Sequence, residues 1–151
     1  MKQQLELALK DAMRASDDLR KRTLRMVLSA IRMAEVDNKG PLNDNAIMAI
    51  LHKEIKSRQE SIADAQKGNR PDLVEASQAE IAVLEGFLPK QLSAQELEDF
   101  ARQAIAEAGA TEPRHMGQVM KLLLPRLEGR ATGEQASQMV RKLLLPGEGG
   151  Q

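Results

Sequence analysis

The chain has 151 residues, a formal net charge of zero and no cysteine. That length holds one domain or two small ones, and the missing cysteine excludes a disulfide framework, a cysteine nucleophile and thiolate metal sites. Neutrality removes any whole-chain electrostatic case for nucleic acid or membrane, so only local patches could serve.

Apolar residues recur at three and four rather than at two, which predicts an all-α chain. The first helix is expected from Lys2 to Ala15, with Leu5, Leu9, Ala12 and Met13 on its apolar stripe. The second starts near Asp17 or Asp18, ends before Gly40-Pro41, and buries Leu24, Val27, Leu28 and Ile31. The third takes Asn43 as its N-cap, with Leu42 placed to staple onto Ile47, and ends at Gly68. The fourth has Pro71 in its first turn, carries Leu73, Ser77, Ile81, Leu84 and Leu88, and stops at Pro89.

The segment Leu88 to Ser93 reads as the boundary between two bundles. The expected organisation is a larger N-terminal bundle over 1–90, a smaller C-terminal one over 91–147, and a disordered tail over 148–151. Ser93 and Glu96 form a capping box for the fifth helix, which carries Leu97, Phe100, Ala101, Ala104 and Ile105 and closes at Gly109. The sixth begins near Glu112-Pro113, carries Met116, Val119, Met120, Leu123 and Leu127, and ends at Gly129. The seventh begins at Thr132, whose capping box is completed by Gln135, and buries Met139, Val140, Leu143 and Leu144.

Little in the chain has the pattern of a catalytic site. His52 and His115 are the only histidines and do not form a helical ligand pair, so no metal site is expected. A P-loop, a dinucleotide fingerprint and a nucleophile elbow are absent, and no cofactor is expected. The N-terminal segment MKQQLELALKDAM has charges throughout, unlike a signal peptide, and no stretch reaches a membrane-spanning length. The expected location is the cytoplasm.

Two regions are basic. On a helical wheel of the second helix, Lys21, Arg22, Arg25 and Arg32 fall on one strip, and apolar residues including Met26 and Met33 fill most of the rest. The helix is therefore expected to be largely buried with one basic wall, either a solvated edge or a phosphate-contacting strip. Arg20 and Glu35 lie at or inside the apolar sector, where each needs a partner. Glu54 and Arg58 on the third helix can pair as a strut. On the sixth, Arg114, Gln118 and Lys121 share a face, Arg126 flanks it, and Arg130 follows between Gly129 and Gly133. With the capped helix start at Thr132 this is either a phosphate cradle or an ordinary helix–loop–helix. The only aromatics, Phe87 and Phe100, cannot stack bases, so any RNA would be held by phosphates and shape.

The string His115 to Lys121, HMGQVMK, followed by Gly129 to Gly133, GRATG, resembles the GatB/YqeY motif. Thr23-Leu24-Arg25 with Leu28 to Ile31, the run Lys53 to Ser61, and LEGFLPKQL from Leu84 to Leu92 extend that resemblance to the YqeY family over nearly the whole chain. His115 and Ser77 stand where the family pattern has an acid, and Thr132 where Asp is frequent. The resemblance implies two helical bundles, the second similar to the tail domain of the B subunit of the glutamine-dependent aminoacyl-tRNA amidotransferase. In that enzyme the tail helps hold tRNA while a separate cradle, with no counterpart here, handles ATP and amide transfer.

The expectation is a non-catalytic accessory protein that binds tRNA. The contacts would come from Arg114, Lys121, Arg126 and Arg130, extended by Lys21, Arg25 and Arg32, with Gly117, Gly129 and Gly133 shaping the backbone. A tRNA-modifying or aminoacylating enzyme is the expected protein partner, and DNA is not expected. The alternative is a protein-interaction module without RNA. The third reading is a component of a glutamine-dependent carbon–nitrogen ligase, the activity attached to the family.

Overall fold

A computed structural model describes residues 1–145. The tail expected over 148–151 lies outside the described residues, as do 146 and 147. Among the described residues there is no strand, and the fold is all-α. The chain divides into two compact units, Met1–Pro89 and the part from Lys90 onward.

The N-terminal unit holds α1 (Lys2–Arg14), α2 (Asp18–Asn38), α3 (Asp44–Lys67) and α4 (Pro71–Glu85). Side-chain caps set the starts: Asp17 accepts from the Arg20 amide at 3.1 Å and Asn43 from the Ala46 amide at 2.9 Å, each satisfying a donor that the first helical turn leaves open. Pro71 opens α4, where a missing N–H costs nothing. α2 packs against α1, α3 and α4. Its Leu24, Val27, Leu28 and Ile31 join Leu5, Ile47, Leu51 and Leu84 in the core, and each fully buried aliphatic side chain contributes roughly 1.5–3 kcal/mol.

Arg58, 5% exposed, is one of two buried polar residues of the described chain, with Thr23. Its guanidinium meets Glu54 at 2.7 Å on its own helix and Glu80 at 2.8 Å on α4. The Glu54–Arg58 pair expected from spacing is thus half of a strut that ties α3 to α4. The partners required for Arg20 and Glu35 are also present: Arg20 lies 5.8 Å over the Phe87 ring, and Glu35 accepts from the Lys2 ammonium at 2.7 Å.

The C-terminal unit holds α5 (Ala94–Ala108), a 3-10 turn (Pro113–His115), α6 (Met116–Leu127) and α7 (Gly133–Leu144). Each of its three helices packs on the other two. Ala101, Ala104 and Ala136 are fully buried beside Val119, Leu123 and Val140, and small residues let the helix backbones approach. Both capping boxes are complete, at Ser93 with Glu96 and at Thr132 with Gln135, and Gly109 ends α5 at φ +64°.

Several expectations are corrected. α2 is not largely buried: Met26 is 55% exposed and Met33 69%, because α1, α3 and α4 cover only one side of it. Met13 and Leu73 are exposed as well, at the edges of their stripes. α4 ends at Glu85, where Gly86 caps it, and Phe87 and Leu88 close tighter turns onto Leu84 and Glu85 before Pro89 is reached. α6 ends at Leu127, with Glu128 rather than Gly129 as its left-handed cap.

Candidate nucleic-acid interface

The basic residues of the C-terminal unit do not form one open cluster. Arg114 belongs to the 3-10 turn, not to α6, because Glu112-Pro113 starts a tight turn that hands over to the α-helix only at Met116. Its guanidinium pairs with Glu112 at 2.5 Å while its side chain stays 77% exposed. The His115 Nδ1 accepts from the Thr111 and Glu112 amides at 3.2 and 3.3 Å, which pins this entry to α6. Arg126 pairs with Glu107 on α5.

Arg130 is bound into the fold. Its Nε donates to the Lys90 carbonyl at 3.0 Å, and its own carbonyl accepts from the Leu92 amide at 2.8 Å. Gln91 adds a bond to the Gly129 carbonyl at 3.1 Å. The glycine-flanked loop therefore approaches the chain's own 90–92 segment. Gly129 is required there for its backbone, at φ +77°. Glu134 in the first turn of α7 puts a carboxylate at the helix end proposed for an anion. Gly133 begins that helix, and a side chain added there would make only ordinary contact with Leu124.

The Glu96 carboxyl, which completes the Ser93 capping box, is held below its ordinary value of 4.5. The Ser93 amide hydrogen bond is the main cause, with Arg130 and Lys90 adding attraction for the charged form.

Lys121 differs from these arginines. It is exposed, and among the described residues it has no ion-pair partner. One turn earlier, Gly117 and Gln118 are exposed too, and a side chain added at Gly117 would meet nothing within 4 Å. Packing among the described residues does not require glycine at this first-turn position. Across residues 90–145 eight Lys and Arg stand against seven Asp and Glu, so the local arrangement rather than the total sets the potential.

In the N-terminal unit Lys21 pairs with Asp18 at 3.2 Å. Arg22, Arg25 and Arg32 are exposed and have no carboxylate partner among the described residues. Sequence reading missed what lies beside them: Met26, Met33 and Val36, at 55%, 69% and 76% exposure, on the same outward side. The signal was available, since these positions lie opposite Leu24 and Ile31 on the wheel. Among the described residues no group of three or more His, Asp or Glu could hold a metal ion, and no helix is long and apolar enough to cross a membrane.

Comparison with known proteins agrees with the resemblance read from the motifs. The chain is 41% identical over 95 residues to altered inheritance of mitochondria protein 41, mitochondrial, of Lachancea thermotolerans, covering 62% of this chain and 51% of that protein. Proteins of the same name match 93% of this chain at 29% identity in Pyrenophora tritici-repentis and 95% of it at 31% identity in Meyerozyma guilliermondii, covering 78% and 75% of those proteins. The chain thus spans about half to three quarters of the relatives it matches. The family model described as Yqey-like protein matches residues 2–144, so the chain belongs to the YqeY family.

Proposed function

We propose that this chain is an accessory protein that works by binding, and that its C-terminal unit holds folded tRNA through backbone phosphates. The observation that carries this reading is Lys121, which among the described residues has no ion-pair partner, set beside the bare backbone of Gly117 on the outward side of α6. Arg114, mostly exposed, and Arg126, at the α5 edge, supply further donors, since a guanidinium has five N–H groups and one carboxylate does not use them all. Arg130 holds the 90–92 segment in place. The similarity to the amidotransferase tail domain supports tRNA as the ligand. A tRNA-modifying or aminoacylating enzyme is the proposed partner. The proposed compartment is the cytosol, with the mitochondrion as the alternative that the relatives' names supply. Carbon–nitrogen ligase activity is left out of the proposal because the sequence has no cysteine, P-loop or nucleophile-elbow pattern to carry it.

The test is fluorescence anisotropy with labelled tRNA at about 50 and 200 mM salt. Phosphate contacts release counterions, so affinity should fall steeply across that range. Lys121→Ala should weaken all tRNAs alike and reduce the salt slope by about one. Folded tRNA should bind better than an unstructured strand of equal length, because no aromatics are available to stack loose bases. Equal binding by the wild type and the Arg114→Ala/Lys121→Ala/Arg126→Ala variant would overturn the reading.

A further inference from the structure

The outward face of α2 has an order that the tRNA reading does not use. Arg22, Met26, Ser29, Met33 and Val36 follow one another at intervals of four, three, four and three residues. That is the spacing of the contact seam in a helix that packs along a second helix. Arg25 and Arg32, seven apart, run beside the seam at one flanking position of the repeat. Leu24, Val27, Leu28 and Ile31 occupy the opposite side and are buried in the unit's own core, so the seam is additional to the packing that holds α2 in place. It spans about 21 Å, from the helical rise of about 1.5 Å per residue. Met26 is steadied from beneath, with the buried Arg58 guanidinium 3.7 Å from its sulfur.

We infer that this face docks an acidic amphipathic helix of another protein. Met26, Met33 and Val36 offer adaptable apolar contact, and methionine and arginine are the residue types enriched where proteins meet. Arg22, Arg25 and Arg32 have no carboxylate partner among the described residues, so the complementary helix supplies Asp or Glu at the positions flanking its own apolar stripe. A second copy of α2 fits poorly: antiparallel, it sets Arg25 and Arg32 against the same arginines, and parallel, it sets Arg22 against Arg22 within the seam and Arg25 against Ala30. RNA would use the arginines but leave Met26, Met33 and Val36 against phosphates, with no gain from covering them. This inference is independent of the tRNA reading, which rests on the other unit.

The probe is a labelled three-heptad peptide with Leu at the seam positions and Glu at both flanking positions, measured by anisotropy against the full chain in about 0.1 M salt, where the screening length is about 10 Å. A control peptide has Lys in place of Glu. The Glu peptide should bind and the Lys peptide should not. In the Arg25→Glu/Arg32→Glu variant the preference should reverse, with the Glu peptide weakened by at least about tenfold and the Lys peptide captured. Both positions are exposed, and the reversal shows that the variant is folded. Met26→Gln/Met33→Gln should weaken the Glu peptide without changing the charge. The inference is overturned if the Glu peptide does not bind, if the double reversal leaves its affinity unchanged, or if anionic lipid vesicles or tRNA bind this face and displace the peptide.

Discussion

The C-terminal unit and the outer face of α2 both carry several arginines, and they dispose of them in opposite ways. In the C-terminal unit Arg114 is met by Glu112, Arg126 by Glu107, and Arg130 by the Lys90 carbonyl. On α2 the arginines at 22, 25 and 32 face solvent beside exposed Met26, Met33 and Val36. A count of basic residues would rank the two regions alike. A list of partners separates them, because a cation already matched by a carboxylate offers an incoming anion less than a free one. Arg58 is the extreme case, a guanidinium withdrawn almost wholly from solvent to join two helices.

The contrast can be sharpened by removing cations of each kind and measuring stability. Arg58→Ala should have the largest effect, a loss of about 3 kcal/mol, because Glu54 and Glu80 are then left facing one another in a partly buried site. Urea unfolding followed by circular dichroism would show it, and a loss below about 1 kcal/mol would remove Arg58 from its role as a strut. Arg130→Ala should cost about 1 kcal/mol through the lost bond to Lys90, read as faster amide exchange over 90–93. Arg25→Ala and Arg32→Ala should stay within about 0.5 kcal/mol of the wild type, as exposed positions without partners do. A larger cost at either would mean that α2 spends its arginines internally after all.

The capping box gives a pH handle on the same contrast. Folding lowers the Glu96 carboxyl below 4.5, so its contribution is present at neutral pH and is lost as pH falls below 4.5 through the folded-state value. Glu96→Gln keeps an acceptor for the Ser93 amide and should flatten that part of the acid-unfolding curve. Arg130→Ala removes one of the attractions on the carboxylate and should move the loss to higher pH. An acid curve unchanged by Glu96→Gln would show that the cap does not couple to stability.

Much of the fold is legible in the sequence because its signals are local. Asp17, Asn43, Ser93 and Thr132 cap helices that begin one residue later, and each is recognised from residues within a single turn. The need for partners at Arg20 and Glu35 follows from the wheel alone. The pairings that decide the candidate site are different. Arg126 finds its carboxylate 19 residues away, and Arg130 its carbonyl 40 residues away. No periodicity carries that information. Exposure of Met26 and Met33 depends on which side of α2 its neighbours cover, and composition favoured the buried reading. The early end of α4 lies between: Gly86 was readable as a stop, but Pro89 and the register of Leu88 masked it.

In this reading tRNA is held by Lys121 and the exposed, singly paired Arg114 of the C-terminal unit, while the α2 arginines serve another contact. Titration of labelled tRNA against two double variants tests it most directly, in about 0.1 M salt, where electrostatic contacts still count. Arg114→Gln/Lys121→Gln should lose about tenfold in affinity, a change of about 1.4 kcal/mol. Arg25→Gln/Arg32→Gln should stay within about twofold of the wild type. The reverse pattern, with the α2 variant weakened and the other unchanged, would contradict the account and move the RNA surface to α2.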